Sequence, residues 1–179
     1  ENALKRLGAE FTVTADADII RSADRVLLPG VGNAAEAMEN LRKADLTQVI
    51  RSLRRPVLGI CVGMQVMCRH SEEGDCDCLN IFDSRVKRFV PTQELKVPHM
   101  GWNKISNLES KLFKGISGGE YVYFVHSYYP ELCPDTIATT THGAMFSSAL
   151  KYENFYGTQF HPEKSGDVGE KIIENFLNL

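Results

Sequence analysis

The sequence has no uninterrupted apolar stretch approaching the roughly 18 residues that a bilayer crossing requires. Its longest mostly apolar segment, Val57 to Cys68, is broken by polar and glycine positions. No charged region followed by an apolar block and a small-residue cleavage site opens the chain, so no secretory signal is read. A basic surplus is also missing: 20 Lys and Arg against 23 Asp and Glu give a net charge of −3. That leaves nothing to neutralise a nucleic-acid backbone or an anionic membrane, and small or neutral partners are expected, with no nucleic acid and no membrane. Cysteine is sparse and odd in number, five at irregular spacing, which argues against a disulfide framework and for a reducing, cytoplasmic compartment. With 14 Gly and 7 Pro in 179 residues, collagen-like and low-complexity chains are excluded. What remains, 43% hydrophobic and 24% charged, is the composition of one globular domain over residues 1–179.

Strand and helix signals alternate in the first half. Glu1 to Leu7 places Leu4 and Leu7 on one helical face and stops at Gly8. Phe11 to Thr14 alternates like a short strand, and Arg25 to Leu28 is an apolar run ending at Pro29-Gly30-Val31-Gly32. Between Ala34 and Leu53 the positions Leu46, Val49, Ile50 and Leu53 form the stripe of a helix that covers a sheet, ended by Pro56. Pro56 to Ile60 then reads as a buried strand and Gly63 to His70 as a helix. From Ser84 onward the pattern becomes period two and aromatic, predicting strands at Arg85–Val90, Tyr121–Val125, Ile137–Thr141 and Ala144–Ala149. A last amphipathic helix after Gly166 carries Ile172, Ile173, Phe176 and Leu177. The expected fold class is α/β: a mixed, mostly parallel sheet flanked by helices, with an antiparallel β portion in the second half.

Gly59-Ile60-Cys61-Val62-Gly63 has the spacing of a nucleophile elbow between strand and helix, where glycines remove side chains that would clash in so tight a turn. A helix starting directly behind Cys61 presents free N–H groups and partial positive charge, which favour a thiolate nucleophile. A buried structural cysteine is the alternative reading, and the paired glycines weigh against it. Gln159-Phe160-His161-Pro162-Glu163 offers a proton carrier with an orienter. Pro162 holds His161 extended, and residues i and i+2 of an extended segment share a side, so Glu163 can reach the ring. Cys61, His161 and Glu163 would form a triad. Acyl transfer to sulfur develops an oxyanion that needs N–H donors. Val62, next after Cys61, is the first candidate, and the glycine-flanked turn at Gly30 and Val31 the second, unless that turn is a plain strand-to-helix connection. Gln65, one helical turn beyond Cys61, could hold a polar substrate.

Other candidates are weaker. Cys76-Asp77-Cys78 lacks a second ligand pair at zinc spacing, Cys68 reads as core, and Cys133 stands alone, so no metal is expected. His70, His99 and His142 have no local partner that would assign a role, and Lys164 and Ser165 read as solvated.

The ordered segments Pro29–Gly32, Gly59–Gln65 and Gln159–Ser165 resemble class I (triad) glutamine amidotransferases. Within that family Pro98-His-Met-Gly-Trp-Asn103, Ser71-Glu-Glu-Gly74 and Tyr123-Phe-Val-His-Ser-Tyr128 are similar to the glutaminase subunits of imidazole glycerol phosphate synthases, over essentially the whole chain. The resemblance implies a flavodoxin-like three-layer fold, no cofactor, and hydrolysis of L-glutamine through a γ-glutamyl thioester on Cys61, with His161 protonating the departing ammonia. It implies a glutamine pocket at Gly32, Gln65, Glu73, His126, Ser127 and Tyr128. It further implies heterodimer formation with a (β/α)8-barrel cyclase that consumes the ammonia in histidine biosynthesis, with Trp102 and Tyr123 at that interface. Rival readings are another triad glutaminase, such as a vitamin B6 synthase subunit or a γ-glutamyl hydrolase, and a catalytically silent module that regulates a partner. Family members begin with a strand and an Asp-Tyr-Gly-x-Gly-Asn loop before the first helix. This sequence starts inside that helix and is expected to be part of a longer chain.

Overall fold

The computed structural model describes residues Glu1–Leu179. In chain order the first half holds α1 (Asn2–Arg6), α2 (Ala17–Ser22), β1 (Val26–Gly30), α3 (Ala34–Lys43), α4 (Leu46–Ser52), β2 (Val57–Cys61), α5 (Val62–Gln65), β3 (His70–Ser71) and β4 (Cys76–Asp77). The second half holds β5 (Arg85–Arg88), β6 (His99–Lys104), β7 (Tyr121–His126), β8 (Tyr128–Pro130), β9 (Thr136–His142), β10 (Ala144–Tyr152), β11 (Phe155–Thr158) and α6 (Gly166–Leu177), with 3-10 turns at Lys111–Phe113 and Pro162–Lys164. No helix is long and apolar enough to cross a membrane.

The main sheet has the order β1-β2-β11-β10-β9. β1, β2 and β11 pair in parallel, and β10 is antiparallel to both of its neighbours. β9 therefore points the same way as β11, and only β10 opposes the common direction. Side chains alternate across this sheet into two separate cores. On β2, Val57 joins the core with Met38, Val49, Ile50 and Met64, whereas Leu58 joins the one with Phe124, Phe146, Phe160, Ile172 and Phe176. The same alternation splits Phe155 from Tyr156 on β11, so the sheet is the middle of three layers. A small sheet of order β4-β3-β5-β8 and the antiparallel pair β6–β7 complete the molecule.

The expected α/β architecture is present, with four local corrections. Phe11–Thr14 is not a strand. β1 pairs only with β2, no strand runs beside 11–14, and Thr14 Oγ1 accepts from the Asp16 amide at 2.9 Å, turning the chain toward α2. The long helix expected to Leu53 is two helices, α3 and α4, parted by Asp45 at φ 55°. The helix expected from Gly63 to His70 ends at Gln65, because Leu79, Asn80 and Phe82 donate to the carbonyls of Val66, Cys68 and Met67 and draw the chain out of the spiral. Finally, β11 stands at the sheet centre, unforeseen because Gly157 lowers its strand character; a side chain there would meet Met64 at 2.3 Å.

Candidate functional site

Parallel pairing puts Gly30, the last residue of β1, opposite Cys61, the last of β2. Cys61 takes φ 54° and ψ −113°, a strained conformation for a residue with a side chain, and α5 begins at the next residue. The sequence can make this bend because its glycines let backbones touch. A Cβ on Gly63 would lie 1.9 Å from the Leu28 carbonyl oxygen, and one on Gly30 would lie 2.0 Å from the Gly63 nitrogen. The sulfur is thus lifted to the end of the sheet, where the backbone amides that open α5 have no partner within the helix.

β11 brings the base to the same place. Thr158 pairs with Ile60, and the chain passes through Gln159 and Phe160 to His161. His161 donates from Nδ1 to Glu163 Oε1 at 2.8 Å, which leaves Nε2 as the free ring nitrogen. That Nε2 is buried without a hydrogen-bond partner. Burial opposes charge on the ring, but the attraction of the Cys61 sulfur and the Glu163 carboxylate outweighs it and raises the pKa of His161 to about 9. Burial works against the Glu163 carboxylate too, yet His161 beside it brings its pKa below the usual value. Glu163 reaches the ring for a different local reason than expected: it lies in the Pro162–Lys164 turn, not in an extended i, i+2 pair.

Cys61 and His161 line one cleft of about 250 Å³ together with Gly30, Val31, Gly32 and Val62. A strained cysteine, an imidazole held by a carboxylate and a glycine turn at a helix start have the chemistry that a nucleophile, a proton carrier and an anion cradle need. Residues 1–179 match the Glutamine amidotransferase class-I family. The chain belongs to that family.

Similarity to individual amidotransferases is closer still. The imidazole glycerol phosphate synthase subunit HisH of Bacteroides thetaiotaomicron is 58% identical over 178 residues, 99% of this chain and 91% of that protein. The subunit of the same description from Idiomarina loihiensis is 46% identical over 177 residues, 99% of this chain and 89% of that protein. The crystal structure of a glutamine amidotransferase matches with a TM-score of 0.73, covering 99% of this chain and 89% of that one; at 17% identity it bears on the fold alone.

The remaining residues singled out for the amidotransferase pocket, Gln65, Glu73, His126, Ser127 and Tyr128, also line the cleft. Four of them are already engaged, His126 and the Tyr128 carbonyl with each other and Gln65 and Glu73 with neighbours around them. Gln65 donates both amide hydrogens, to the Tyr128 carbonyl and to Gln159 Oε1, each at 2.9 Å, leaving its oxygen as the free polar atom. Glu73 accepts from the Ala34 amide at 2.8 Å and so anchors the start of α3 behind the glycine turn. Trp102 and Tyr123 lie outside the cleft, paired across β6 and β7 with rings 6.0 Å apart, and Trp102 is 56% exposed.

Three features are invisible to the sequence patterns. Gln159, fully buried, donates to the Cys61 sulfur at 3.5 Å. Ser165, expected to be solvated, is buried: its hydroxyl donates to the His161 carbonyl at 2.6 Å and accepts from the Tyr123 amide at 2.9 Å. Lys164, also expected to be solvated, lines the cleft. The histidines that lack local partners in the sequence find them in the fold: His70 sits between Asp75 and Asp77, and His99 contacts His126 and stacks on His142.

Proposed function

We propose that this chain is the glutaminase subunit of an imidazole glycerol phosphate synthase. L-glutamine enters the cleft with its side-chain amide over Cys61. The sulfur attacks the amide carbon, and the oxyanion that forms is received by the Val62 N–H and by an N–H of the Gly30–Val31 turn. His161, protonated and oriented by Glu163, gives its proton to the nitrogen as the C–N bond breaks and ammonia leaves. Water, deprotonated by the same imidazole, then hydrolyses the γ-glutamyl thioester to glutamate. Gly32, Gln65, Glu73, His126, Ser127 and Tyr128 bind the glutamine around that centre.

The observation that carries this reading is the convergence of Cys61 and the Glu163-held His161 on one cleft with the glycine turn. Ammonia released into water near neutral pH is protonated and no longer nucleophilic, so the product needs a shielded route to its acceptor. A (β/α)8-barrel cyclase docked on the Trp102 and Tyr123 face supplies it, and the five free cysteines support a cytoplasmic setting.

The test is Cys61→Ala in the complex with a barrel cyclase. Glutamine-dependent synthesis is expected to fall by about four orders of magnitude or more, while synthesis from added ammonium salt stays near wild type. Equal loss of both activities would contradict this division of labour.

A further inference from the structure

The Tyr128 carbonyl accepts two side-chain hydrogen bonds, from Gln65 Nε2 at 2.9 Å and from His126 Nδ1 at 2.8 Å. A carbonyl can only accept, so this one oxygen fixes which way both side chains face. On one arm, Gln65 gives its second amide hydrogen to Gln159 Oε1, which turns the Gln159 nitrogen toward the Cys61 sulfur. On the other arm, His126 carries its proton on Nδ1 and presents a lone pair on Nε2, which lies 2.9 Å from His99 Nδ1. His99 must then donate from Nδ1 and accept at Nε2, and Asn103 Nδ2 stands 3.1 Å from that Nε2.

The far end fixes the same direction independently. Asn103 Nδ2 also donates to the Thr141 carbonyl at 3.0 Å, and Asn103 Oδ1 accepts from the Lys104 amide at 2.8 Å. Both carbonyl ends thus dictate one donor-to-acceptor order, with every interior member satisfied. Protonating either ring would break it, and both rings resist protonation: burial first, then neighbouring histidines, bring His99 down to about 4 and His126 to about 3. Gln65, Gln159, His99 and His126 are all buried, so bulk water does not compete for these partners.

We propose that Gln159 orients the reactive sulfur of Cys61, and that Asn103, His99 and His126 are positioning residues that hold the Tyr128 carbonyl, the shared acceptor on which the arm from β6 and the Gln65–Gln159 arm converge. This rests on the glutaminase reading and adds how that site is held. β6 is also the strand that carries Trp102, next to Asn103 in the chain. A shift of β6 on partner docking is therefore passed through His126, the Tyr128 carbonyl and Gln65 to the sulfur.

Two measurements test it. Nitrogen-15 spectra of the histidine rings in the full wild-type chain are expected to show both His99 and His126 as Nδ1–H tautomers at pH 7. An Nε2–H tautomer at either ring overturns the chain. In the complex with the barrel cyclase, Gln159→Met keeps the shape and removes the donated hydrogen. It is expected to lower kcat with glutamine by about ten-fold or more, with KM for glutamine and ammonia-driven synthesis within about two-fold of wild type. Asn103→Asp, which cannot donate to His99, is expected to lower the same kcat by about three-fold or more. A wild-type kcat in Gln159→Met overturns the proposal. A wild-type complex that uses ammonia but not glutamine counts against the glutaminase reading instead, and the ring spectra still decide the chain.

Discussion

At the scale of single residues, the site depends on a histidine that the fold keeps charged. An isolated imidazole gains a proton near pH 6.5, and burial alone would make that harder. In His161 the Cys61 sulfur and the Glu163 carboxylate reverse the balance and raise the pKa to about 9. A raised folded-state value means that protonation stabilises the native state. The contribution is complete below about pH 6.5 and is lost as pH climbs through about 9. Denaturant unfolding of the wild type against His161→Ala across pH 6 to 10 is expected to show a decline in the wild type that the variant lacks. Parallel pH dependence in the two proteins would mean that His161 is not held as a cation. That Cys61 and a Glu163-held His161 meet at one cleft was legible in the sequence because Cys between glycines and His-Pro-Glu are uncommon patterns with a chemical reason. Gln159 and Ser165 were not, since a lone Gln or Ser resembles any polar surface residue until the strand pairing puts it against sulfur or the base.

At the scale of elements, the elbow is a contact between backbones. β1 passes so near the start of α5 that the Gly63 position has no room for even a methyl group, whose carbon would stand 1.9 Å from the Leu28 carbonyl oxygen. Backbone cannot yield as a flexible side chain does, so Gly63→Ala must push β1 from β2 or tilt α5. It is expected to cost about 3 kcal/mol of stability and to depress glutamine turnover with it, because the displaced atoms include the Val62 and Gly30–Val31 amides proposed to receive the oxyanion. Gly118→Ala, where nothing lies within 4 Å, is the control and should unfold within about 0.5 kcal/mol of wild type. Thermal or urea unfolding of the two variants side by side decides the matter; equal stabilities would show that the elbow is slack. The same steric logic explains what periodicity missed. Gly157 weakens the strand signal of β11, yet the space it leaves is filled by Met64. Conversely, Phe11–Thr14 has a good alternating pattern but no neighbouring strand, and pattern without a partner does not make a strand.

At the scale of the molecule, the reactive cleft and the β6–β7 face share a strand. Tyr123, on that face, accepts a backbone hydrogen bond from His161 at 2.9 Å, and its own amide is held by Ser165, whose hydroxyl in turn donates to the His161 carbonyl. His161 is therefore tied to β7 through its own backbone and the Ser165 hydroxyl. The outer side of these two strands is apolar and open, with Met100 63%, Trp102 56% and Tyr121 51% exposed. Three large apolar side chains grouped on one open face are the kind of surface that a docking partner covers. No sequence pattern separates such a Trp from a core residue, because β6 alternates His99 inward and Met100 outward with similar hydrophobic character. Trp102 is 56% exposed and its ring meets that of Tyr123 edge-on, so Trp102→Ala should leave thermal unfolding nearly unchanged while weakening association with the barrel cyclase by about 2 kcal/mol, or about thirty-fold in Kd. Glutamine turnover at subsaturating partner should fall in the same proportion and recover as cyclase is added in excess. If turnover instead stays low at saturation while binding is intact, Trp102 acts on the base rather than on assembly. If neither binding nor turnover changes, the partner docks on some other face, and the backbone link from β7 to His161 serves only to hold the base in place.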